Sequence, residues 1–402
     1  MQNVVIDKPY AFIPPRLNRF WLWLVRRLLP RRLRKDFGIT AVECLGAEKL
    51  RASLEAGHGI MLVGNHCRPC DPMVLDSLSA AVRRPFHIIA SWHVFLINRI
   101  QRFLLPRIGG FSVYREGMDR ESLKCAIKTV ADARYPLVIF AEGIITRCND
   151  RLVNFMEGPA FMARSAAKQR TDGKTVIHPV FIRYFFEGDL EQTVLPVIND
   201  IENRLSWQPQ HELPLRARLS KIGGALLTLK EIEYLGEPQT GKFRERLQRL
   251  IDHLLTPLEN QWTARRHDGD PMARVKRLRS AILPDLLARE LSEPERALRW
   301  RYLADVYLVQ QLHCYPGNYM EDATPERLLE TVERYEEDLT DWARPHFPIR
   351  AVITVGDAIE VSPTRDRSPE GDPITAQLRQ QMEQLLESSR THRRILPTAA
   401  PG

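Results

Sequence analysis

Residues 59–72 read G-I-M-L-V-G-N-H-C-R-P-C-D-P, and this stretch decides the fold. Its first six residues are apolar without alternation, as in a strand covered on both faces rather than one with a wet side. Polar groups begin abruptly at Asn65, so chemistry-bearing side chains stand where a buried strand ends, the place at which α/β sheets hold their ligands. The same residues allow two chemical parses. Cys67-Arg68-Pro69-Cys70 is a C-x-x-C, suited to redox or metal chemistry, whereas His66 and Asp71 form H-x4-D, a base with a carboxylate to orient it.

Working outward, strands are expected at Ile39–Leu45, Phe86–Ala90, Phe111–Tyr114, Leu137–Ala141 and Val176–Tyr184. Helices are expected between them at Ala47–Ala56, Arg120–Ala133 and Pro159–Lys168. This alternation predicts an α/β fold, a largely parallel sheet flanked by helices. The strand-like L-T-L-K-E-I-E-Y-L (227–235) and a helix over Phe243–Trp262 are expected to close the domain, and A-R-R-H-D-G-D-P (264–271) reads as a linker. Beyond it the chain is mainly helical, with one strand candidate at Ala351–Val361, a Pro/Ser/Asp-rich turn region and a helix near Thr375–Ser389. I-E-Y-L-G-E-P (232–238) and I-T-V-G-D-A-I-E-V (353–361), each followed by a helix, look like a loosely repeated unit, and T-A-A-P-G (398–402) like a frayed tail. The expected division is 1–38 as a basic amphipathic segment, 39–262 as the catalytic domain and 263–402 as a mainly helical C-terminal region.

With 402 residues and 44% hydrophobic content the chain can bury one large core or two modest ones. Six scattered cysteines do not form a small disulfide framework and fit a reducing compartment. The first fifteen residues lack the basic start and long apolar run of a secretion signal, so a cytoplasmic location is expected. The net charge of +8 lies wholly in residues 1–35, which hold nine Lys/Arg and one Asp; the other 367 residues carry 49 basic and 49 acidic groups. There, R-L-N-R-F-W-L-W-L-V-R-R-L-L-P-R-R-L-R-K (16–35) mixes Trp and Leu with eight cations. Its apolar run, Phe20–Val25, is far shorter than the ~20 residues of a span, and Pro30 is expected to interrupt any continuation. Such a segment suits an anionic membrane surface, touched peripherally with no transmembrane span. No base-reading motif accompanies the charge, so nucleic acid is not an expected partner.

Neither cysteine parse finds company. A redox site of the thioredoxin type wants a proline loop beside the thiols, and a zinc site wants a second ligand pair downstream; neither is present, so no metal is expected. The His/Asp parse does find company. His66-x4-Asp71, G-F-S-V-Y-R (110–115), I-F-A-E-G (139–143) and I-H-P-V (177–180) follow in order at strand–loop junctions. Together they resemble the four blocks of the glycerolipid acyltransferase family, which includes the glycerol-phosphate and 1-acylglycerol-phosphate acyltransferases. The stretch F-M-E-G-P-A-F-M-A (155–163) resembles the family's helix after its third block, and the resemblance covers roughly residues 35–240. Two features depart from it. The third block, F-P-E-G-T-R-S in the family, here reads F-A-E-G-I-I-T-R, with Ala141 for proline and Arg147 displaced; and a family A-K-x-E-L is replaced by A-S-W-H-V (90–94), without the lysine.

The resemblance implies acyl transfer from a thioester, acyl-CoA or acyl carrier protein, to a hydroxyl of a glycerol-phosphate or lysophospholipid acceptor. Donor and acceptor are substrates, and no cofactor is implied. Removing a hydroxyl proton as oxygen attacks a carbonyl suits an imidazole, which titrates near neutrality, with a carboxylate fixing its tautomer. His66 is thus the expected base and Asp71 its partner. The matching blocks imply substrate contact by Asn65, Gly110, Arg115, Glu142, Gly143 and Arg147. Arg115 would offer a forked donor to phosphate, Glu142 would hold acceptor hydroxyls and Gly143 would admit close backbone approach.

Overall fold

The computed structural model describes residues 8, 10–115, 117, 119–263, 269–288, 291–315, 319–321, 323–364 and 372–392. The core of the expected linker (264–268), most of the turn region before the last helix and the tail at 398–402 lie outside them. The chain divides into two compact units. One holds Phe12–Tyr114, Asp119–Asp189 and Pro345–Gly402; the other holds Met1–Ala11, Arg115–Met118 and Leu190–Arg344.

The first unit is built on a sheet. In chain order it contains α1 (Arg19–Phe37), β1 (Ile39–Leu45), α2 (Ala47–Glu55), β2 (Gly59–Gly64), α3 (Asp71–Ala81), β3 (His87–Ser91), α4 (Arg99–Arg107), β4 (Gly110–Val113), α5 (Arg120–Ala131), β5 (Leu137–Phe140), α6 (Gly158–Gln169) and β6 (Thr175–Phe186). The strand order, β1-β7-β6-β2-β5-β3-β4, also takes in β7 (Ile349–Val355), while β8 (Ile359–Glu360) pairs with β6. β2 is flanked by β5 and β6, both parallel to it, and every one of its residues is buried, as its unbroken apolar run requires. Helices pack on these strands: Ala126 and Val130 of α5 and Ala160, Ala163 and Ala166 of α6 share a core with Met61, Val63 and Ile177.

The expected boundary at 262/263 is replaced by a different arrangement. β7 runs parallel to β1 and antiparallel to β6, so the C-terminal strand is inserted into the sheet rather than placed in a region of its own. Its Arg350, almost fully buried, bonds Glu187, Glu43 and the carbonyl of His392. The last helix, α13 (Pro373–Ser389), is tied to α6 by a buried pair between Arg164 and its N-cap, Asp372. The side-chain bonds from Arg164 hold the Asp372 carboxyl below the usual carboxylate range. Periodicity announces a strand but not its neighbours, and this pairing joins segments some 300 residues apart.

α1 starts at Asn18, whose side chain accepts from the N–H groups of Phe20 and Trp21, and ends at Gly38 in a left-handed conformation. A Cβ at Gly38 would sit 1.6 Å from the carbonyl oxygen of His346, so only glycine fits there. Pro30 does not end this helix, contrary to expectation: it is exposed, and the helix runs through it to Phe37. Leu22 and Leu33 are buried and Arg26 forks onto Asp76 and Ser79 of α3, so one face of α1 belongs to the protein itself. No helix among the described residues is long and apolar enough to cross a membrane.

The second unit is helical: α7 (Leu190–Arg204), α8 (Leu215–Leu235), α9 (Phe243–Trp262), α10 (Pro271–Ala288), α11 (Glu293–Leu312) and α12 (Pro325–Thr340). The expected strand at 227–235 is the second half of α8. Among its buried positions Leu219, Gly223, Leu227 and Glu231 recur every four residues, a helical spacing that overrides the local alternation. The repeat guessed from 232–238 therefore dissolves, and a different one takes its place. Arg218, Arg246 and Arg274, spaced by 28 residues, are each the fourth residue of a helix. Each clasps a fully buried glutamate near the end of the preceding helix: Glu202 at 2.7 Å, Glu231 at 2.7 Å and Glu259 at 2.9 Å. Glu202 and Glu231 also accept the backbone N–H eight residues on, from Gln210 and Gln239. Each carboxylate thus closes a helix–turn–helix corner, and deleting one partner of such a buried pair costs about 3–5 kcal/mol.

Candidate active site

The site is assembled where β2 ends. β6 overhangs β2, whose pairing with it stops at Gly64 opposite Val180. The next residue, Asn65, continues the ladder with its side chain: its Oδ1 accepts from Ile182 N–H at 2.7 Å and its Nδ2 donates to Ile182 C=O at 3.0 Å. Asn149 does the same two residues on, accepting from Tyr184 N–H at 3.2 Å. Asn65 is buried with both ends of its amide occupied, so it braces the turn, where substrate contact was expected.

Beyond Asn65 the chain loops once and returns as α3, whose first residue is Asp71. The loop brings the two ends of H-x4-D together, with His66 Nδ1 at 2.7 Å from Asp71 Oδ2. The same oxygen accepts from the N–H groups of Cys67 (2.8 Å) and Arg68 (2.9 Å), and Oδ1 accepts from the Tyr184 hydroxyl at 2.5 Å. Every neighbour of this fully buried carboxylate is a donor, so the proton of the pair sits on His66 Nδ1 and the lone pair on Nε2. The imidazole stacks on Phe140 at the end of β5, with centroids 4.1 Å apart and planes at 17°, and stays partly open to solvent. Tyr184 escaped sequence reading because it sits in an apolar strand. The available signal was that a hydroxyl in a buried strand needs a partner.

The backbone of His66 is gripped by the third block. Glu142 Oε2 accepts its N–H at 2.6 Å, Oε1 accepts from Val153 N–H at 3.1 Å, and Thr146 N–H donates to the His66 carbonyl at 2.8 Å. Glu142 was expected to hold acceptor hydroxyls; instead both its oxygens close the loop that carries the base. Burial pushes its carboxyl up to about 7 against the pull of the two backbone N–H groups, with Asp71 adding upward and Arg379 downward contributions. The unfolded chain, at 4.5, loses the proton first, so the stability this group contributes is full below that value. It declines as pH rises toward 7, by about 3 kcal/mol for that shift. Glu142→Gln is therefore expected to flatten the pH dependence of stability between pH 5 and 7, read by chemical denaturation at several pH values.

Gly143 is left-handed at φ +68°, and a Cβ there would meet the Met156 side chain at 2.6 Å. Gly110 opens β4, where a Cβ would stand 3.0 Å from the Leu105 carbonyl; that accounts for this glycine through packing. Arg147 is half-buried in the loop after β5 with φ +56°. Arg115 is half-buried and groups with the helical unit, so its role as a phosphate ligand rests on the resemblance alone. His178 of the fourth block is fully buried between the Ser53 hydroxyl and the Gly356 carbonyl, and burial lowers its pKa; it is an internal strut.

Both motif thiols are free and fully buried, and burial, with Asp71 beside it, pushes the Cys70 thiol up to about 12. A thiol held neutral is a poor nucleophile. Cys-x-x-Cys is here the turn that wraps Asp71, with Cys70 Sγ packed 3.6 Å from the Tyr184 hydroxyl. Cys67→Ser combined with Cys70→Ser is expected to retain most activity in a steady-state assay; complete loss in a folded protein would restore a chemical role to sulfur.

Residues 41–183 match a family model described as Acyltransferase. No curated protein matches the chain. The matched span runs from β1 to the overhang of β6 that seats Asn65, so the matched domain and the cluster around His66 are one piece of chain, and over that span the protein carries an acyltransferase domain.

Proposed function

We propose that this protein moves a fatty acyl group from an acyl-CoA or acyl carrier protein thioester to a hydroxyl of glycerol phosphate or a lysophospholipid, at a membrane surface reached through α1, on the cytoplasmic side. The observation that carries the reading is the His66–Asp71 contact of 2.7 Å at the end of the central strand. Nε2 takes the acceptor hydroxyl proton as that oxygen attacks the thioester carbon; the C–S bond then breaks, and the departing thiolate leaves with the proton from the imidazolium. Asp71 holds the charge that develops on the ring, and Glu142 fixes the backbone behind it.

Incubating the purified protein with labelled acyl thioesters and a panel of glycerol phosphate, lysophosphatidate and phosphate-free lysolipids tests this directly. Acylated product from a phosphorylated acceptor supports the reading, and product from phosphate-free lysolipids alone would change the acceptor class. Arg115 is proposed as the phosphate clasp. Arg115→Lys is expected to raise the acceptor KM about tenfold with donor kinetics unchanged, because an ammonium lacks the paired donors of a guanidinium. Unchanged acceptor kinetics would remove Arg115 from the site.

A further inference from the structure

α1 and α4 carry matching outward faces. Phe20, Trp23 and Leu28 on the first, and Ile97, Ile100 and Phe103 on and just before the second, are between 42% and 69% exposed. The aromatic members are continuous across the two helices: Phe20 stands 6.1 Å from Trp23 and 5.5 Å from Trp21, and Trp21 meets Phe103 edge-on at 5.1 Å. Each helix also lays an arginine on its aromatic ring, Arg27 at 5.6 Å from Trp23 and Arg107 at 3.6 Å from Phe103. Exposed apolar area of this extent marks an interaction surface.

The charge around it selects the partner. Residues 16–35 hold eight cations and no acid, and residues 92–109 hold Arg99, Arg102 and Arg107 and no acid. Two copies of this face would bring like charges together, whereas an anionic bilayer offers opposite charge to the rim and an apolar interior to the rings. Topology adds a reason for its position. β2, β5 and β3 are parallel neighbours, so the turn after β3, which leads to Ile97, leaves the same edge of the sheet as His66 after β2.

We propose that α1, the turn at 96–98 and α4 form one docking face for an anionic lipid bilayer, with Ile97, Ile100 and Phe103 entering the interface beside Phe20 and Trp23. The proposal deepens the reading of the protein as an enzyme of membrane lipid and extends the contact beyond the basic N-terminal helix. Its consequence is that α1 alone does not account for binding.

The test uses the full chain and sedimentation with vesicles of phosphatidylcholine, with and without phosphatidylglycerol. Ile97→Ser with Ile100→Ser, both on exposed side chains, should lower partitioning onto the anionic vesicles at least ~tenfold, the loss of two isoleucines from an apolar phase. Arg99→Gln with Arg102→Gln should reduce binding in a way that added salt reproduces in the parent. Turnover of a short, water-dispersed acceptor should be equal in Ile97→Ser/Ile100→Ser and parent. Equal partitioning by that variant and the parent, or equal binding of the parent to neutral and anionic vesicles, overturns the proposal. So does a parent that elutes as a dimer while the isoleucine variant elutes as a monomer, which would make this face a self-interface. A parent that binds as described yet transfers no acyl group leaves the docking face standing and removes the enzymatic reading instead.

Discussion

His66→Ala is expected to lower kcat/KM for acyl transfer by at least ~100-fold, the lower end of general-base contributions, in a protein that still folds. Both halves of this expectation come from which part of His66 does what. Its structural bonds are made by the backbone, through the N–H to Glu142 and the carbonyl to Thr146, and alanine keeps both. Asp71 keeps the N–H groups of Cys67 and Arg68 and the hydroxyl of Tyr184, so no buried charge is stranded. What alanine removes is the stack on Phe140 and the ring nitrogen Nε2 that would take the proton. Steady-state kinetics paired with a thermal melt reads the result. Full activity at an unchanged melting temperature would place the base elsewhere.

The pairing of His66 with Asp71 was legible because it is local: a polar turn between a buried strand and a helix closes on itself. The sheet's central strands were legible for a related reason, since each is a short apolar run bounded by polar loops. The role of Glu142 was not. Its neighbours, the N–H groups of His66 and Val153, lie 76 and 11 residues away, and no pattern in F-A-E-G tells a carboxylate that meets substrate from one that holds a loop. The bracing bonds of Asn65 were hidden similarly, because an asparagine that imitates a strand backbone needs β6 beside it, and β6 arrives more than a hundred residues later. The same distance hid β7, whose apolar alternation marked a strand while its slot between β1 and β6 depends on partners far along the chain. In the helical unit the failure was of period: L-T-L-K-E-I-E-Y-L alternates for nine residues, but Glu231 answers to Arg246 and the helix had begun at Leu215.

Asp71→Asn is the sharper experiment, because the structure fixes which way the new amide must face. Three donors converge on Oδ2, from His66 Nδ1 and the backbone of Cys67 and Arg68, whereas Oδ1 meets the Tyr184 hydroxyl, which can donate or accept, and the weakly bonding Cys67 thiol at 3.9 Å. The carbamoyl oxygen therefore takes the Oδ2 position and the NH2 turns to Tyr184, whose hydroxyl reverses to accept it. In this arrangement His66 keeps its proton on Nδ1 and its lone pair on Nε2, and the substitution removes charge while leaving the tautomer correct. The expected loss in kcat is ~100-fold, near 3 kcal/mol, less than the ~10⁴-fold seen where the tautomer itself is inverted, with acceptor KM and stability close to those of the parent. Tyr184 then becomes the reporter. In Asp71→Asn/Tyr184→Phe the turned NH2 is left in a fully buried place with only the weak Cys67 sulfur at 3.9 Å, so the double variant is expected to lose a further ~1–3 kcal/mol of stability that Tyr184→Phe does not cost alone. Denaturation of the two single variants and the double variant closes this cycle. Strict additivity would show that the amide points the other way, into the three donors, and kcat of Asp71→Asn should then fall toward the larger figure.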